Sequence, residues 1–539
     1  MSVDYDLAIV GSGFAGSLLA MIARRLGKTV VLLERGRHPR FAIGESTTPL
    51  SNLLLEDLST RYNLPDILPL CKWGTWQQAH RDIACGLKRG FTFYHHQPVY
   101  HHQPGYHHQP GRRTPLDPAR QDQLLVAASP HDAIADTHWY RADVDSFFVR
   151  NAQQAGVDYL DEVVMQSACE QDDSVRLKGT RHAERLDVSA GFVVDATGPR
   201  GFLHRALSLP ELALPDMPPT EALYTHFTNV HRLADIDPDT DPAIDRHGEP
   251  APYPPDDAAV HHIFDGGWIW VLRFANGITS AGVAATSETA ARFGFREGAP
   301  AWQRLLERFP TVQTQFESAQ PERPYVHTAR QSFRSAAVAG RRWAPLPSAA
   351  GFVDPLLSTG VPLTLLGVAR LAEIFERHWD SPRTAPALAA YARQTEDELL
   401  ATARLIGSLY ATMANFPAFV ALSLLYFAAA SFSETARRLG KPQLAGSFLL
   451  QDNPGFQIGD LLQRACTIRN DAESRALIDA IRRFIEPFNV AGLGDPQRRN
   501  WYPADAEDML RAAPKLGVDR DEVARVLDRC GFHAGLRTA

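Results

Sequence analysis

The segment Gly11-Ser12-Gly13-Phe14-Ala15-Gly16 decides how the N-terminal part of the chain folds. It has the spacing G-x-G-x-x-G, and it lies between a short apolar run at 5–10 and an Ala- and Leu-rich run that ends at Gly27. A second apolar run, at 29–33, leads directly to Glu34. The pattern predicts a strand, a phosphate-binding loop, a helix and a second strand, with Glu34 as the ribose acceptor of a dinucleotide.

The three glycines of this loop have separate physical tasks. Gly11 permits the tight turn, Gly13 lets the backbone approach a diphosphate, and Gly16 lets the helix pack closely against the strand. The helix N-terminus adds N–H donors and the positive end of a dipole. A glycine turn in an unrelated α/β fold would carry the same letters, but the flanking strands, the helix and the acid together favour the dinucleotide site.

Composition restricts the partners and the compartment. The chain has 539 residues, 45% of them hydrophobic and 22% charged, which is ordinary for a globular protein of two or three domains. The net charge is −7, and no long basic run is present, which argues against a nucleic acid partner. The five cysteines are scattered and include no C-x-x-C pair, so the sequence predicts neither disulfides nor a zinc site and fits a reducing cytoplasm.

Two stretches could suggest a membrane span or a metal site. Leu405 to Phe432 is uncharged and long enough to cross a bilayer, but its polar first half favours two buried helices that meet near Asn415-Phe416-Pro417. Residues 94–111 repeat with a period of six as YHHQPV, YHHQPG and YHHQPG. The Gln-Pro and Pro-Gly steps predict a flexible surface loop rather than a metal site, because no Cys, Asp or Glu lies in the repeat.

Along the rest of the chain, residues 141–152 have the apolar spacing of a helix, and residues 192–198 have the pattern of a strand that enters a glycine turn. Residues 208–260 are rich in Pro and Asp and predict loops, whereas residues 261–285 alternate and predict a sheet. From about Leu363 onward the pattern is helical. No motif could be assigned to the C-terminal region, which we expect to cover a substrate entrance or to dock a carrier.

Four further segments together resemble the flavin-dependent halogenases, a branch of the FAD monooxygenase superfamily. They are Gly44-Glu45-Ser46-Thr47-Thr48-Pro49, Gly86-Leu87-Lys88-Arg89-Gly90-Phe91, Trp268-Ile269-Trp270-Val271-Leu272-Arg273, and Ala350-Gly351-Phe352-Val353-Asp354-Pro355-Leu356-Leu357-Ser358-Thr359-Gly360. The turn Asp195-Ala196-Thr197-Gly198 resembles the strand turn beside the nucleotide in FAD monooxygenases. The resemblance spans about residues 1–430.

The resemblance implies an α/β fold with a Rossmann-like FAD-binding domain of the aromatic-hydroxylase type, an interleaved substrate-side sheet and a helical C-terminal region. It divides the chain into a core at 1–375 and a helical region at 376–539. Within the core, the FAD segments are about 1–50, 135–205 and 335–375, the substrate-side sheet is about 85–130 and 206–335, and the repeat insert is 94–111.

The resemblance also assigns roles to residues. It implies that FAD is bound by Gly11, Gly13, Phe14, Ala15, Gly16, Glu34, Arg35, Glu45, Ser46, Thr47, Arg141, Asp195, Gly198, Asp354, Pro355, Gly360 and Val361. Ser358, Thr359 and Gly360 would form a nest for the halide. Trp268 and Trp270 would wall the passage between flavin and substrate, and Lys88 would be the catalytic lysine that presents hypohalous acid to an electron-rich ring.

Each of these assignments has an alternative. Lys88 lies beside Arg89 and could be part of a solvated pair. Lys72 is a competing candidate for the catalytic lysine, because Cys71-Lys72-Trp73-Gly74 contains a similar K-x-G pattern. We prefer Lys88 because Phe91 and Phe93 alternate after it, as on a strand that faces a site. Trp268 and Trp270 could be ordinary strand aromatics on one face. Residues 358–360 could be a helix cap, which is compatible with an anion nest.

Three positions depart from the family pattern. Leu357 stands where tryptophan halogenases carry a glutamate, which favours phenol- or pyrrole-type substrates over free tryptophan. Leu272-Arg273 replaces the Ile-Pro that ends the family's W-x-W-x-I-P motif. Pro347-Ser348 stands where many FAD monooxygenases have Gly-Asp. These departures affect the halogenase prediction more than the FAD prediction.

The sequence therefore predicts a halogenase that uses reduced FAD, oxygen and bromide or chloride on an aromatic substrate, free or on an acyl carrier protein, in secondary-metabolite or pigment biosynthesis. The alternative is an FAD monooxygenase that hydroxylates an aromatic group, and a non-enzymatic flavoprotein is the third hypothesis. No other strand is followed by G-x-G-x-x-G, so we expect a separate flavin reductase to supply the reduced flavin.

Overall fold

The computed structural model describes residues 4–97, 120–236 and 250–533. Its strands are β1 (Tyr5–Val10), β2 (Val30–Leu33), β3 (Cys85–Lys88), β4 (Gly90–His95), β5 (Gln123–Ala127), β6 (Asp136–Trp139), β7 (Asp158–Leu160), β8 (Val163–Glu170), β9 (Val175–Arg181), β10 (Glu184–Asp195), β11 (Glu211–Leu212), β12 (Thr220–Thr228), β13 (Ala259–Phe264), β14 (Gly267–Arg273), β15 (Thr279–Thr286), β16 (Gln320–Pro321), β17 (Val326–Thr328), β18 (Phe333–Ser335), β19 (Trp343–Pro345), β20 (Gly351–Phe352) and β21 (Trp501–Tyr502).

The α-helices alternate with these strands in the first 380 residues and dominate the chain after them. They are α1 (Phe14–Arg25), α2 (Pro49–Arg61), α3 (Trp73–Ala79), α4 (Arg141–Gln154), α5 (Phe202–Ala206), α6 (Leu233–Ile236), α7 (Ser287–Phe293), α8 (Ala299–Leu306), α9 (Pro310–Gln315), α10 (Pro347–Ala350), α11 (Gly360–Arg377), α12 (Thr384–Thr412), α13 (Phe416–Arg438), α14 (Pro442–Ala445), α15 (Gly459–Ala465), α16 (Asp471–Ile485), α17 (Ala506–Arg511) and α18 (Arg520–Cys530).

The first sheet is the Rossmann-like layer that the opening motif predicts. Its strands run in the order β7-β2-β1-β10-β9-β8, with β19 also paired to β10. Strand β1 pairs in parallel with β2 on one side and with β10 on the other, and its apolar residues are fully buried. Helix α1 packs on this sheet and ends before Gly27, which takes a left-handed φ of 80°. The predicted strand, loop, helix and second strand are confirmed.

The second sheet has nine strands and is mostly antiparallel. Its main order is β16-β12-β15-β14-β13-β4-β5-β21, and β17 also pairs with β12. The alternating segment 261–285 is confirmed as sheet, because β14 and most of β13 and β15 lie in it. A separate two-stranded ribbon joins β3 to β6, and helix α4 follows β6 directly.

Two sequence predictions are wrong in part. Residues 208–260 were expected to be loops, but 220–228 form β12, because eight consecutive cross-strand pairs with β15 outweigh the Pro- and Asp-rich surroundings. The repeat was expected to begin a surface loop at residue 94, but Tyr94 and His95 end strand β4. Residues 98–111 of the repeat lie outside the described residues.

The helical C-terminal region packs against both sheets rather than standing apart. The predicted pair of buried helices is confirmed as α12 and α13, which meet at Asn415, the N-cap of α13. Two helices, Leu356–Arg377 and Phe416–Arg438, have the length and apolar composition of membrane spans, but 72% and 83% of their apolar windows are buried inside the protein. Both therefore act as core helices in this fold.

Candidate functional site

The glycine loop has the geometry of a phosphate cradle. A Cβ on Gly16 would lie 2.0 Å from the Gly11 carbonyl oxygen, and a Cβ on Gly11 would lie 2.6 Å from the Ala196 backbone. Neither position therefore accepts a side chain without movement of the backbone. The close approach to Ala196 also brings the predicted turn at 195–198 directly against the loop.

Backbone donors and two arginines surround Gly13. Among the described residues, the N–H groups of Gly13, Ala15 and Gly16 have no hydrogen-bond acceptor, whereas the Phe14 N–H donates to Asp145 at 3.1 Å. A Cβ on Gly13 would lie 3.3 Å from an Arg141 guanidinium nitrogen and 3.8 Å from one of Arg40. Free N–H donors at a helix start beside two guanidinium groups fit the diphosphate of FAD.

Glu34 ends β2 as predicted, but its carboxylate already holds the loop. The Ser12 N–H and hydroxyl donate to one oxygen at 3.0 and 2.9 Å, and the Gly36 N–H donates to the other at 2.8 Å. Burial alone would raise the pKa of Glu34, but Arg40 and these donors outweigh it and hold the pKa below its usual value. Glu34 is thus an ionised carboxylate beside the cradle, and Arg35 next to it is exposed.

Asp195 and Arg141 also form contacts within the protein. Asp195 is fully buried and accepts hydrogen bonds from Thr197 and from the Leu203 N–H, so its carboxylate shapes the turn that ends at Gly198. Arg141 forms a two-point ion pair with Asp145 and donates to the Ile43 and Gly44 carbonyl oxygens at 2.9 and 3.0 Å. Arg141 therefore ties the nucleotide loop to the predicted flavin-side loop, 44–49.

Lys88 is a buried side chain that contacts both the flavin-side loop and the aromatic ring of Phe91. Its Nζ donates to the Ser46 hydroxyl at 2.9 Å and to the Thr47 carbonyl oxygen at 2.5 Å, and it lies 3.9 Å from the centre of the Phe91 ring. The side chain is 0% exposed. The interpretation of Lys88 and Arg89 as a solvated pair is therefore wrong, because Arg89 is buried as well.

Lys72 occupies a different place. It is the N-cap residue of α3, and its Nζ contacts the Cys530 carbonyl oxygen at 3.5 Å near the end of the chain. The structure does not bring Lys72 to the flavin-side loop. Of the two candidate lysines, the geometry favours Lys88.

A row of aromatic rings leads away from Lys88 along one face of the large sheet. Phe91 stacks on Phe93, Phe93 stacks on His261 at 4.6 Å, and His261 contacts Trp268 at 5.2 Å between ring centres. Trp268 and Trp270 are buried neighbours on β14, and their ring centres are 5.7 Å apart. The two tryptophans are strand aromatics on one face, and that face is continuous with Lys88.

The other end of this row contacts the segment that begins at Asp354. The Trp268 indole N–H donates to the Tyr410 hydroxyl at 3.2 Å, and this hydroxyl donates to the Asp354 carboxylate at 2.9 Å. Burial raises the pKa of Asp354 to about 7. Strand β14 and the segment that begins at Asp354, which lie far apart in the sequence, are thus joined through Tyr410 of α12.

The segment 354–361 ends in the start of helix α11. Leu357 and Ser358 have left-handed φ values of 63° and 55°, and the Ser358 N–H is occupied by the Pro355 carbonyl oxygen. In the described part of the chain, the N–H groups of Thr359, Gly360 and Val361 have no acceptor. A Cβ on Gly360 would meet nothing within 4 Å. The free donors of the predicted halide nest are therefore shifted by one residue from the predicted set.

A cavity of about 90 Å³ is lined in part by the Phe91 ring, and the Lys88 ammonium contacts the same ring. We call it the aromatic cavity, and its walls include Thr48, Phe91, Tyr426, Phe427, Ala430, Glu434, Tyr502 and Met509. Helix α13 and the segment 491–509 form much of this wall. The C-terminal region thus covers a cavity beside Lys88, a role that no motif in it could indicate.

Sequence reasoning missed the polar residues around Lys88. Asp136 is the cross-strand neighbour of Lys88, and His138 pairs with Gly86 on the same ribbon. Burial lowers the pKa of both His138 and His261 to about 3, so both rings are neutral at physiological pH. The missed residues carry no local motif, and only the pairing of β3 with β6 reveals them.

A Rossmann-like nucleotide cradle, a large antiparallel sheet and a buried lysine between the two fit the fold class of the FAD monooxygenases, as the sequence predicts. The family model described as tryptophan halogenase matches residues 6–416, and the chain belongs to that family. The resemblance to flavin-dependent halogenases and the Rossmann-like fold class are confirmed.

Individual relatives agree with this membership. The chain is 30% identical to the tetracycline 7-halogenase of Kitasatospora aureofaciens, over 67% of this chain and 61% of that protein. It is 22% identical to a 1H-pyrrole-2-carbonyl-[peptidyl-carrier protein] chlorinase of Pseudomonas fluorescens, over 68% of this chain and 75% of that one. The chain thus spans less than two thirds of the tetracycline 7-halogenase.

A solved structure extends the similarity in fold beyond residue 416. The halogenase PltM, crystallised with phloroglucinol and FAD, superposes with a TM-score of 0.77 at 24% identity. The superposition covers 92% of this chain and 99% of PltM. The C-terminal region that covers the aromatic cavity therefore belongs largely to a shared fold.

Proposed function

We propose that this chain is an FAD-dependent halogenase that uses reduced flavin, oxygen and bromide or chloride to halogenate an electron-rich aromatic ring. The observation that carries the proposal is the position of Lys88. Its ammonium group is bonded to Ser46 and Thr47 on one side and lies on the Phe91 ring, a wall of the aromatic cavity, on the other. A buried lysine between a cofactor loop and an aromatic cavity is suited to carry a reactive species from one to the other.

The cradle at residues 11–16, with Arg40 and Arg141, would hold the diphosphate of FAD, and Glu34 would lie at the ribose. The loop 44–49 and the segment 354–361 would lie on the flavin side. Bound reduced FAD would supply the oxidation of halide by oxygen to hypohalous acid. The free N–H groups of Thr359, Gly360 and Val361 are suited to hold the halide, because clustered backbone donors favour anions.

Lys88 would then hold hypohalous acid by a hydrogen bond and direct its halogen toward the ring. The carbon–halogen bond forms as the oxygen–halogen bond breaks, and the ring proton leaves with the hydroxide as water. The buried surroundings of Lys88 keep bulk water away from this reagent. Trp268 and Trp270 would separate the substrate ring from the flavin, since Trp268 lies in the row of rings between Lys88 and Asp354 and Trp270 lies beside it.

The substrate is proposed to be a single activated ring, of the phenol or pyrrole type. The aromatic cavity of about 90 Å³ is on this scale, and its walls are largely apolar and aromatic. Leu357 is buried and leaves no carboxylate at the position where tryptophan halogenases carry one. The ring would be presented either free or on an acyl carrier protein. The name of the pyrrole chlorinase among the relatives gives a pyrrole on a carrier protein as the substrate of that enzyme.

Two further features of the proposal concern partners and compartment. A separate flavin reductase would supply reduced FAD, because the sequence has a single strand followed by G-x-G-x-x-G. The cytoplasm is the proposed compartment, because the cysteines of the described residues are free thiols. Rapid oxidation of NADH by the purified protein alone would contradict the need for a reductase.

The experiment that tests the role of the lysine compares Lys88→Ala with Lys72→Ala. We expect Lys88→Ala to lower halogenation at least about a hundredfold, since removal of a group that acts in the transition state costs that much or more, while FAD binding persists. Lys72→Ala is the matched control, because the Lys72 ammonium contacts the Cys530 carbonyl oxygen rather than the flavin-side loop, and this variant should halogenate normally. Full halogenation by Lys88→Ala would contradict the proposal.

A further inference from the structure

Asp136 faces Lys88 across the ribbon of β3 and β6. The register pairs Lys88 directly with Asp136, and both side chains are buried, at 0% and 5% exposure. The Lys88 ammonium does not bond this carboxylate. It donates to the uncharged Ser46 hydroxyl and Thr47 carbonyl instead.

The Asp136 carboxylate is fixed in place by helix α2. Asn52 Nδ2 donates to one carboxylate oxygen at 2.7 Å. The other oxygen, Oδ2, is buried and has no hydrogen-bond partner within residues 4–97, 120–236 and 250–533. A buried carboxylate with one unpaired oxygen is costly unless a positive charge lies nearby.

The other titratable groups near this carboxylate supply less of that charge than Lys88 does. His138 on β6 and His261 on β13 are neutral, because burial holds the pKa of each at about 3. On α13, Glu434 and Arg438 pair with each other at 2.7 Å, and Arg438 also reaches Glu56. Among the described residues, Lys88 is therefore the main positive charge that acts on Asp136.

Burial and charge act on the two groups in opposite directions. Burial lowers the pKa of Lys88, and the Asp136 carboxylate counteracts that shift. Burial also raises the pKa of Asp136, and the Lys88 ammonium counteracts it. Each group thus helps to keep the other charged.

We propose that Asp136, held by Asn52, is a positioning residue that acts through Lys88 and sets the pH range in which Lys88 is protonated. The proposal rests on the function proposed above, because it gives a partner to the lysine of that reaction. It assigns Asp136 no contact with the substrate. Asn52 contributes by holding the carboxylate at a fixed place on the opposite strand.

The test measures protonation of Lys88 directly. The FAD-loaded protein is labelled with ¹³C at the lysine Cε, and NMR follows the Cε chemical shifts of Lys88 and Lys72, assigned from the Lys88→Ala and Lys72→Ala spectra, over a pH series. In Asp136→Asn, we expect the midpoint for Lys88 to fall by about one pH unit or more, while the midpoint for Lys72 stays in place. An unchanged Lys88 midpoint would overturn the proposal, and this result does not depend on turnover.

Activity provides the second readout. In Asp136→Asn, the limb of the halogenation pH profile that reports Lys88 should move to lower pH, with flavin affinity and substrate KM unchanged. Asn52→Ala, which keeps the charge but releases the carboxylate, should move the limb less and also covers the case in which Asp136→Asn does not fold. Asp82→Asn, on the exposed segment before β3, is the matched control.

The two proposals can fail separately. If Lys88→Ala halogenates normally, the proposed role of the lysine is wrong whatever Asp136 does. If Lys88→Ala is inactive and Asp136→Asn keeps both the parent Lys88 midpoint and the parent pH profile, only the role of Asp136 is wrong. A loss of activity in Asp136→Asn with an unshifted midpoint and weakened FAD binding would indicate a structural role and would likewise overturn the inference.

Discussion

At the scale of single residues, the interior of this protein places ionisable groups where burial changes their behaviour. Lys88, Asp136 and Asp354 all lie at or below 5% exposure. Within the described part of the chain, Asp354 faces no cation and accepts hydrogen bonds from the Leu356 N–H and the Tyr410 hydroxyl. Because these are neutral donors, burial dominates, and the pKa of Asp354 rises to about 7.

This shift predicts a pH dependence of stability. A carboxyl whose folded-state pKa is raised from about 4 to about 7 stabilises the fold at low pH, and that contribution is lost as pH rises through 7. Between pH 5 and pH 8 the loss is about 2–3 kcal/mol. Asp354→Asn removes this pH-dependent loss of stability. The free energy of unfolding of the variant should therefore rise relative to that of the parent from pH 5 to pH 8.

Urea unfolding of both proteins at pH 5 and pH 8, without flavin, measures this difference. Comparison at the same pH cancels the other titrating groups, including Asp136 and Asp195. A variant-to-parent difference that stays constant from pH 5 to pH 8 would show that Asp354 is ionised throughout this range.

The roles of single residues could largely be predicted where they depend on a local sequence pattern. Gly11, Gly13 and Gly16 were identified from their spacing, because a phosphate loop is a contiguous piece of backbone. Asp136 could not be found in this way, since its relation to Lys88 depends on pairing between strands about fifty residues apart. Tyr410, which bridges Trp268 and Asp354, was missed for the same reason.

At the scale of elements, helix α13 connects the C-terminal region to the site. Its start was predictable, because Asn415 and Pro417 are an N-cap and a first-turn proline. Its role was not, because the helix is apolar on nearly all sides and shows no distinct site face. Only tertiary packing shows that Tyr426, Ala430 and Glu434 line the aromatic cavity.

This packing predicts the effect of filling the cavity. Ala430 is a small wall residue, so Ala430→Phe should occupy the space of a substrate ring and raise KM or lower kcat/KM at least about tenfold, which corresponds to about 1.4 kcal/mol. FAD affinity should not change, because Ala430 lies in the cavity wall, away from the glycine loop at 11–16 in the first sheet. Ala430→Val is the graded control, with a smaller effect expected.

Steady-state kinetics with FAD titrations on all three proteins would check this prediction. Equal kcat/KM for the parent and Ala430→Phe would mean that the substrate binds elsewhere. A matching loss of FAD affinity would point instead to a general disturbance of the fold.

At the scale of the whole molecule, the two sheets and the C-terminal helices converge on one interior region. The Rossmann-like sheet provides the nucleotide loop, the large sheet provides the row of rings, and α12 and α13 close the cavity. The division of the chain into a nucleotide part and a substrate part, which the family resemblance implies, stays a prediction. The strand β21, which adds residues 501–502 to the large sheet, is too short to be seen in a pattern.

The central claim is that this convergence serves halogenation. It is tested most directly by incubating the protein with FAD, a flavin reductase, NADH, oxygen and saturating bromide, together with simple phenols, indoles and pyrroles. The account predicts brominated phenol or pyrrole products, recognised in the mass spectrum by the paired bromine isotopes. Formation of oxygenated products alone from the FAD-loaded protein, with no brominated product at saturating bromide, would contradict it.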